Sequence, residues 1–486
     1  MQTPTIAAVI LAAGESSRFG QPKQLLDWQG RPLIAHIADT AWAAGFTPVI
    51  VVLGAGADEI ALALAGRPVQ VLTNYRWAAG VSTSLAVGVA ALPAHVEAAL
   101  FLQADQPGIT PRFLQTLATR WRETGAGIVV PTWEGQYGSP VLFARELFPA
   151  LAQLSGDVGG RALFTAHADR LVTLPVAEPL LLHDLDTPEA YAQLRAQVQG
   201  AEPDILLRPI RAVIADMDGV LWRGDAALPG LANFFTFLSA RHIPFQLVTN
   251  NASRTPAQYV EKLAGFGIAV NETQVLNSAM AAAHYVREHA PPGAKIYAIG
   301  GPGVPHALLA AGLQVTQDHD AEYVVVGWDR QMTWERLAMA AQLIRRGCPF
   351  IGTNPDRTFP TENGLVPGNG AQLAFLETGS DRPPLVMGKP APHLYQQALA
   401  RMEADPETTL VIGDRLDTDI LGGLRLGMPT ALLLSGITTR ELLAQSPIHP
   451  AMIFADLADL ITHWQKAHPE LAEESAWPSA SSGSVG

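Results

Sequence analysis

The chain has a single cysteine, Cys348, and little charge: Asp, Glu, Lys and Arg make up 16% of it, where about 25% is usual. One thiol excludes an intrachain disulfide and a Cys-cluster metal site, and fits a reducing cytoplasm. Positive charge is scarcer still. Lys and Arg number 32 against 45 Asp and Glu, a net charge of −13, which disfavours a nucleic-acid-coating surface and a polybasic membrane anchor. Any phosphate must then be bound locally. Long apolar runs are also missing. Residues 6–13 are too few to span a bilayer and lack a basic flank, so neither a membrane helix nor a signal peptide is expected.

What the chain does have is core. Hydrophobic residues make up 48% of its 486 positions, which excludes a disordered chain, and at roughly 150 residues per domain the length argues for two or three units. Short β-branched runs at 6–11, 48–53, 69–72, 99–102, 128–130 and 172–176 alternate with helical stretches. That rhythm predicts an α/β fold with a mostly parallel, doubly wound sheet covered on both faces. Polar, Gly and Pro punctuation near 197–210 marks a boundary, after which the rhythm restarts with strands at 212–215, 245–248, 296–299, 323–326, 385–387 and 410–412. The expected domains are 1–200 and 207–466, two Rossmann-like sheets. Residues 467–486, rich in Ser, Gly and Glu, are expected to be a disordered tail.

The first strand opens into Ala12-Ala13-Gly14-Glu15-Ser16-Ser17-Arg18-Phe19-Gly20-Gln21-Pro22-Lys23. A small-residue loop at the C-terminal end of a strand lets backbone N–H groups approach phosphate oxygens while Arg18 and Lys23 neutralise them. Lys23 is the only lysine in the first 200 residues, which use arginine eleven times. A compact ammonium suits a triphosphate better than a planar fork. The plain alternative is a surface turn with a structural lysine.

The run from Leu11 to Leu26 resembles the signature of MobA-like nucleotidyltransferases, especially the molybdenum cofactor cytidylyltransferases. The resemblance continues through Asn74, Trp77, Gly80, Ser84 and Leu85, then Gln103 to Pro107 around Asp105, Pro131 to Pro140 as the acceptor loop, Gly156-Asp157 with Gly159 and Arg161, and Asp184 to Pro188. It implies nucleotide binding by Leu11, Ala12, Ala13, Gly14, Arg18, Lys23, Asn74, Gly80 and Ser84, with Lys23 assisting catalysis. It also implies Mg²⁺ held by Asp105 with Asp184 or Asp186. Attack of an acceptor oxygen on the α-phosphorus expels pyrophosphate, so such a site must stabilise charge on oxygen. Asp105 also reads as a turn residue before Pro107, and Asp186 as the start of a capped helix; Asp157 stands between acceptor contact and scaffold. Ala12-Ala13 in place of Gly-Gly implies CTP over GTP, and the family implies a molybdopterin-type acceptor. A sugar- or alcohol-phosphate acceptor is the alternative.

In the second unit a strand ends in Asp216-Met217-Asp218-Gly219-Val220-Leu221-Trp222. Carboxylates at i and i+2 after a strand can share Mg²⁺ while facing one phosphoryl group. Alone the pattern also fits calcium loops and plain turns. Thr249-Asn250-Asn251, Lys389-Pro390 and Gly413-Asp414 through Asp419 each follow an expected strand, so four polar groups are expected at four strand ends of one sheet. Residues 210–464 resemble the haloacid dehalogenase superfamily, class IIA phosphatases of the NagD type. The resemblance implies Asp216 as nucleophile forming an aspartyl phosphate and Asp218 as acid and base. Thr249 and Lys389 would hold phosphoryl oxygens, Asn250 would orient a small phosphorylated substrate, and Asp216, Asp218, Asp414 and Asp419 would line the metal site. The insert, about 258–383, would be an α/β cap that excludes water. Trp328 either stacks on substrate or is buried in the cap. His36, His183 and His242 lack metal-ligand spacing and read as ordinary. A cytoplasmic bifunctional enzyme follows, with neither nucleic acid nor membrane as partner and self-association through cap or core allowed. The alternative makes the second unit a phosphatase-like ligand sensor regulating the first.

Overall fold

The computed structural model describes residues 4–16, 19, 21–28, 31–176, 184–185, 187–199, 203–361 and 364–468. Arg18, His183, Asp186 and the tail from 469 lie outside them. The chain divides into two compact units, Met1–Glu202 with Leu424–Gly427, and Pro203–Gly423 with Met428–Gly486.

The first unit carries strands β1 (Ile6–Ala12), β2 (Val49–Leu53), β3 (Gln70–Thr73), β4 (Ala98–Gln103), β5 (Ile128–Trp133), β6 (Val141–Ala144) and β7 (Leu171–Pro175), in the sheet order β7-β5-β6-β4-β1-β2-β3. Strand β6 runs antiparallel to both β4 and β5; the periodicity did not single it out, and the other pairings along this path are parallel. In β1 the period of two divides the core, with Ile6, Ala8 and Ile10 entering one apolar layer and Ala7 and Val9 the other. Helices cover both layers. Helix Pro111–Thr124 shows how the ends are set: Thr110 Oγ1 accepts from Phe113 N at 3.2 Å, proline stands in the first turn, and Gly125 closes it at φ 61°.

The second unit carries β8 (Ala212–Ala215), β9 (Phe245–Thr249) and β10 (Val275–Asn277). An inserted sheet of β11 (Lys295–Ile299), β12 (Gln314–Thr316), β13 (Tyr323–Val326), β14 (Phe350–Gly352) and β15 (Leu385–Val386) comes next. Strands β16 (Thr409–Gly413), β17 (Thr430–Leu433) and β18 (Met452–Phe454) complete the core. The core order is β10-β9-β8-β16-β17-β18 and the cap order β12-β11-β13-β14-β15, parallel throughout. The core order reverses direction between β8 and β16, where a doubly wound sheet opens its ligand crevice.

Three expectations need correction. Because β10 pairs with β9 in the core sheet, the insertion begins after Asn277 rather than near 258. The strand before Lys389 is no core strand: β15 pairs with β14 at the edge of the cap sheet, its short apolar run being equally suited to either sheet. The final helix, Leu457–Ala467, also reaches one residue into the segment expected to be tail, because Trp464 and Ala467 are buried against the core.

Candidate functional sites

In the first unit the loop after β1 is organised by a residue that the sequence pattern did not single out. Gln24, 1% exposed, donates from Nε2 to the Ala12 and Gly14 carbonyls at 3.0 and 3.1 Å, and its Oε1 accepts from Ser16 Oγ at 3.1 Å. A buried glutamine between Lys23 and two leucines is the signal that was available, since an amide there must be satisfied locally. Lys23 begins a 3₁₀ turn, Lys23–Leu25, and pairs with Asp105 Oδ2. The expected phosphate cation and metal aspartate are thus direct partners. Asp105 Oδ1 is buried with no hydrogen-bond partner among the described residues, an acceptor that a cation would satisfy. Gln106 Nε2 donates to Asp184 Oδ1 at 2.8 Å and Leu185 N to the Asp105 carbonyl at 2.9 Å, so the 184–185 segment lies against the Asp105 loop.

Asn74 and Ser84, expected at the nucleotide, are engaged with the scaffold. Asn74 Nδ2 donates to Thr83 Oγ1 and Ser84 Oγ at 2.8 and 2.9 Å, and Oδ1 accepts from Arg76 N at 2.9 Å. The asparagine therefore ties the end of β3 to helix Val81–Ala90. Gly80 is a place where only glycine fits: φ is +110°, and a Cβ would fall 2.4 Å from the Gly156 carbonyl. Asp157 Oδ1 accepts from Val81 N at 3.3 Å and Ser82 Oγ donates to the Gly156 carbonyl at 2.6 Å. Of the two readings of Asp157, the observed contact is the scaffold one.

The second site is more enclosed. Asp216 follows β8, Thr249 ends β9, and Asp414 and Asp419 follow β16. One oxygen from each of Asp216, Asp414 and Asp419 lies within 4.8 Å of the others. Lys389, 3% exposed, donates to Asp216 Oδ1 and Asp419 Oδ1, both at 2.6 Å, and to the Val248 carbonyl at 3.0 Å. Burial alone would push its ammonium down, but Asp216 and Asp419 outweigh it and hold the group above its ordinary value. Burial also raises the Asp216 carboxyl well above its usual range, against the pull of Lys389. Burial and the charge of Asp419 push Asp414 up to about 7. Carboxylates here outnumber the one ammonium, and Asp414 Oδ1 is buried with no partner among the described residues. That donor set fits a hard divalent cation.

Gly219 makes the approach possible: at φ +87° its Cβ would sit 2.3 Å from Asp414 Oδ2. Asp218 is not part of the three-carboxylate group; its Oδ1 accepts from Trp222 Nε1 at 2.7 Å, so Trp222 fixes its direction, a role invisible in the motif. Thr249, 2% exposed, accepts at Oγ1 from Asn251 N at 3.1 Å. Asn250 contacts the lysine segment. Its Oδ1 accepts from Lys389 N at 2.7 Å, while Nδ2 donates to the Lys389 carbonyl at 3.0 Å and to Asp356 Oδ1 at 3.1 Å. One amide therefore brackets the lysine backbone, and in this geometry Asn250 orients Lys389. Trp328 stacks on Phe359 with centroids 4.0 Å apart, its Nε1 donating to the Pro367 carbonyl at 2.9 Å, so its ring is taken by the cap itself.

An aspartate, a buried lysine and two further carboxylates meet at the switch point of a doubly wound sheet, an arrangement suited to a metal ion and a phosphoryl group. Family comparison agrees. A haloacid dehalogenase-like hydrolase model matches residues 213–314, a related hydrolase-like model 386–460, and a MobA-like NTP transferase domain model 8–171. The chain is 37% identical over 260 residues to an acid sugar phosphatase of Staphylococcus aureus, covering 54% of this chain and all of that protein. Among solved structures, p-nitrophenyl phosphatase from Archaeoglobus fulgidus is 32% identical, with 52% of this chain and 98% of that one covered and a TM-score of 0.50. For 4-nitrophenylphosphatase from Thermotoga maritima the values are 32%, 54%, 99% and 0.51. The chain belongs to the haloacid dehalogenase-like hydrolases and carries an N-terminal MobA-like NTP transferase domain. It is an enzyme of the nucleotidyltransferase and phosphatase classes. Among the described residues, no helix is long and apolar enough to cross a membrane.

Proposed function

We propose that the chain is a bifunctional enzyme, divided between Glu202 and Pro203, whose second unit hydrolyses a small phosphate ester through an aspartyl phosphate on Asp216. The carrying observation is the buried Lys389 ammonium between Asp216 and Asp419 beside the unpartnered oxygen of Asp414. In this reading an Asp216 oxygen forms a bond to phosphorus as the ester P–O bond breaks. Asp218, aimed by Trp222, gives its proton to the departing oxygen. It then takes one from the water that cleaves the acyl phosphate. Mg²⁺ held by Asp216, Asp414 and Asp419 would supply charge neutralisation at the phosphoryl oxygens. Lys389 opposes the burial that disfavours the ionised Asp216 carboxylate, and Asn250 holds the lysine in register. The names of the relatives favour a sugar phosphate or an aryl phosphate as substrate class. Turnover of such esters that requires Mg²⁺ and leaves a hydroxylamine-trappable acyl phosphate tests the mechanism.

For the first unit we infer Mg²⁺-dependent cytidylyl transfer from CTP to a molybdopterin-type acceptor, with Lys23 and Asp105 at the triphosphate and its metal. The Lys23–Asp105 pair with the unpartnered Asp105 Oδ1 supports the metal, and Ala12-Ala13 supports CTP. Calorimetric titration with CTP and GTP in the presence of Mg²⁺ decides the nucleotide: CTP is expected to bind more tightly, and equal or tighter GTP binding sinks the cytidylyl assignment.

A further inference from the structure

His36 lies on helix Leu33–Ala43, 9% exposed, one turn before Asp39, which is 3% exposed. Its two ring nitrogens reach different parts of the unit. Arg31 Nη2 lies 2.7 Å from Nδ1, and the Pro107 carbonyl lies 3.0 Å from Nε2. A guanidinium has only donors and a carbonyl only acceptor electrons, so this geometry admits one assignment. Nδ1 accepts from Arg31, and Nε2 carries the single proton and donates it to Pro107. These contacts make the imidazole directional.

The arginine is itself held. Asp39 Oδ2 accepts from Arg31 Nη1 at 2.7 Å, Asp39 Oδ1 accepts from Arg67 Nε at 2.9 Å, and Arg67 Nη1 donates to the Ala63 carbonyl at 2.9 Å. Burial draws the Arg31 guanidinium down to about 10, with Asp39 opposing, which leaves it charged and donating at neutral pH. The chain Arg67–Asp39–Arg31–His36 thus ends on the carbonyl two residues after Asp105. That loop is fixed at its other side by Leu185 N on the Asp105 carbonyl, 2.9 Å away. A plain core histidine has no need of a charged tether that dictates its tautomer. Burying His36 and Asp39, with Arg31 and Arg67 partly buried beside them, is costly unless they specify a geometry, and here that geometry is the position of the Asp105 loop.

We propose that His36 is a positioning residue for nucleotidyl transfer, the Nε2–H tautomer imposed by Arg31 clamping the loop that presents Asp105 opposite Lys23. This rests on the transferase reading of the first unit. Outer groups that orient ligands are worth about 10- to 100-fold in metal affinity or activity. In the full chain, His36→Phe keeps the ring and removes both nitrogens. It is expected to lower kcat for transfer about tenfold or more and to raise the Mg²⁺ concentration needed for half-maximal rate. The nucleotide KM should stay within about twofold, and phosphatase activity, read on the same sample, should be unchanged. His36→Gln can still accept from Arg31 and donate to Pro107, and should recover most of the loss. Should the Phe variant fail to fold, Arg31→Met removes the donor to Nδ1 while Arg67 still pairs with Asp39, and the same split is expected. Independently of activity, a long-range ¹H–¹⁵N spectrum should contain a neutral, Nε2-protonated imidazole that disappears in His36→Gln. An Nδ1-protonated or doubly protonated ring at this position overturns the inference, as does normal transfer by His36→Phe. A wild-type chain that transfers no nucleotide fails the transferase reading instead, and the spectrum still decides the clamp.

Discussion

Lys389 spends its three N–H bonds on Asp216, Asp419 and the Val248 carbonyl while almost wholly enclosed. Removing one partner of a buried charge cluster leaves the others uncompensated, typically at about 3–5 kcal/mol. Lys389→Met preserves length and apolar stem, so it is expected to abolish phosphatase turnover and lower the denaturant midpoint of the second unit. Mg²⁺ should restore part of that midpoint, because a bound cation offsets the same carboxylates; a midpoint equal to wild type without metal contradicts this electrostatic account. In the first unit Lys23 holds Asp105 directly. Lys23→Ala is expected to cut nucleotidyl transfer by roughly 100-fold, about 2.7 kcal/mol, the size usual for a lost electrostatic stabiliser. Near-normal pyrophosphate release by that variant returns Lys23 to a structural role. Such residues were legible because chemistry restricts them: a lone lysine among arginines, or aspartates two apart after a strand. Gln24, Asn250 and His36 were not legible in their roles, since the contacts of each include a partner 10 to 139 residues away, and no local period records that.

Elements present these side chains, and here the sequence was legible where pattern and burial coincide. Strands β1 and β8 announce themselves by continuous apolar runs, and β9 by a run broken only at Gln246, each ending at or beside site residues. Strand β15 has the same look in two residues, Leu385 and Val386, yet belongs to the cap sheet; its run is too short to say which sheet it joins. The consequence is mechanical, since Lys389 leaves the cap sheet and is bracketed by Asn250 just after core strand β9. Turn geometry constrains the site equally. In Gly219→Ala the new Cβ meets Asp414 Oδ2 at 2.3 Å in a backbone conformation at φ +87°, so the turn or the carboxylate must move. Loss of phosphatase kcat by about 100-fold or more is expected, with weakened Mg²⁺ binding by calorimetry and little change in nucleotidyl transfer. Undiminished Mg²⁺ affinity contradicts the reading of Asp414 as a ligand.

Across the whole molecule, each candidate site is built from one unit's own residues: Lys23, Asp105 and Asp184 in the first, and Asp216, Lys389, Asp414 and Asp419 in the second. Sites without shared partners usually respond to substitution independently, so the central claim is two self-sufficient active sites in one chain. Asp216→Asn tests it most directly. The amide keeps the shape of the carboxylate and cannot become an anionic nucleophile, and it removes one negative charge from a cluster with too many. Both activities are measured on that one folded protein. Phosphatase turnover is expected to vanish while nucleotidyl transfer stays within about twofold of wild type. Persisting phosphatase activity contradicts the nucleophile, and parallel loss of both activities contradicts self-sufficiency and makes the second unit a regulator of the first.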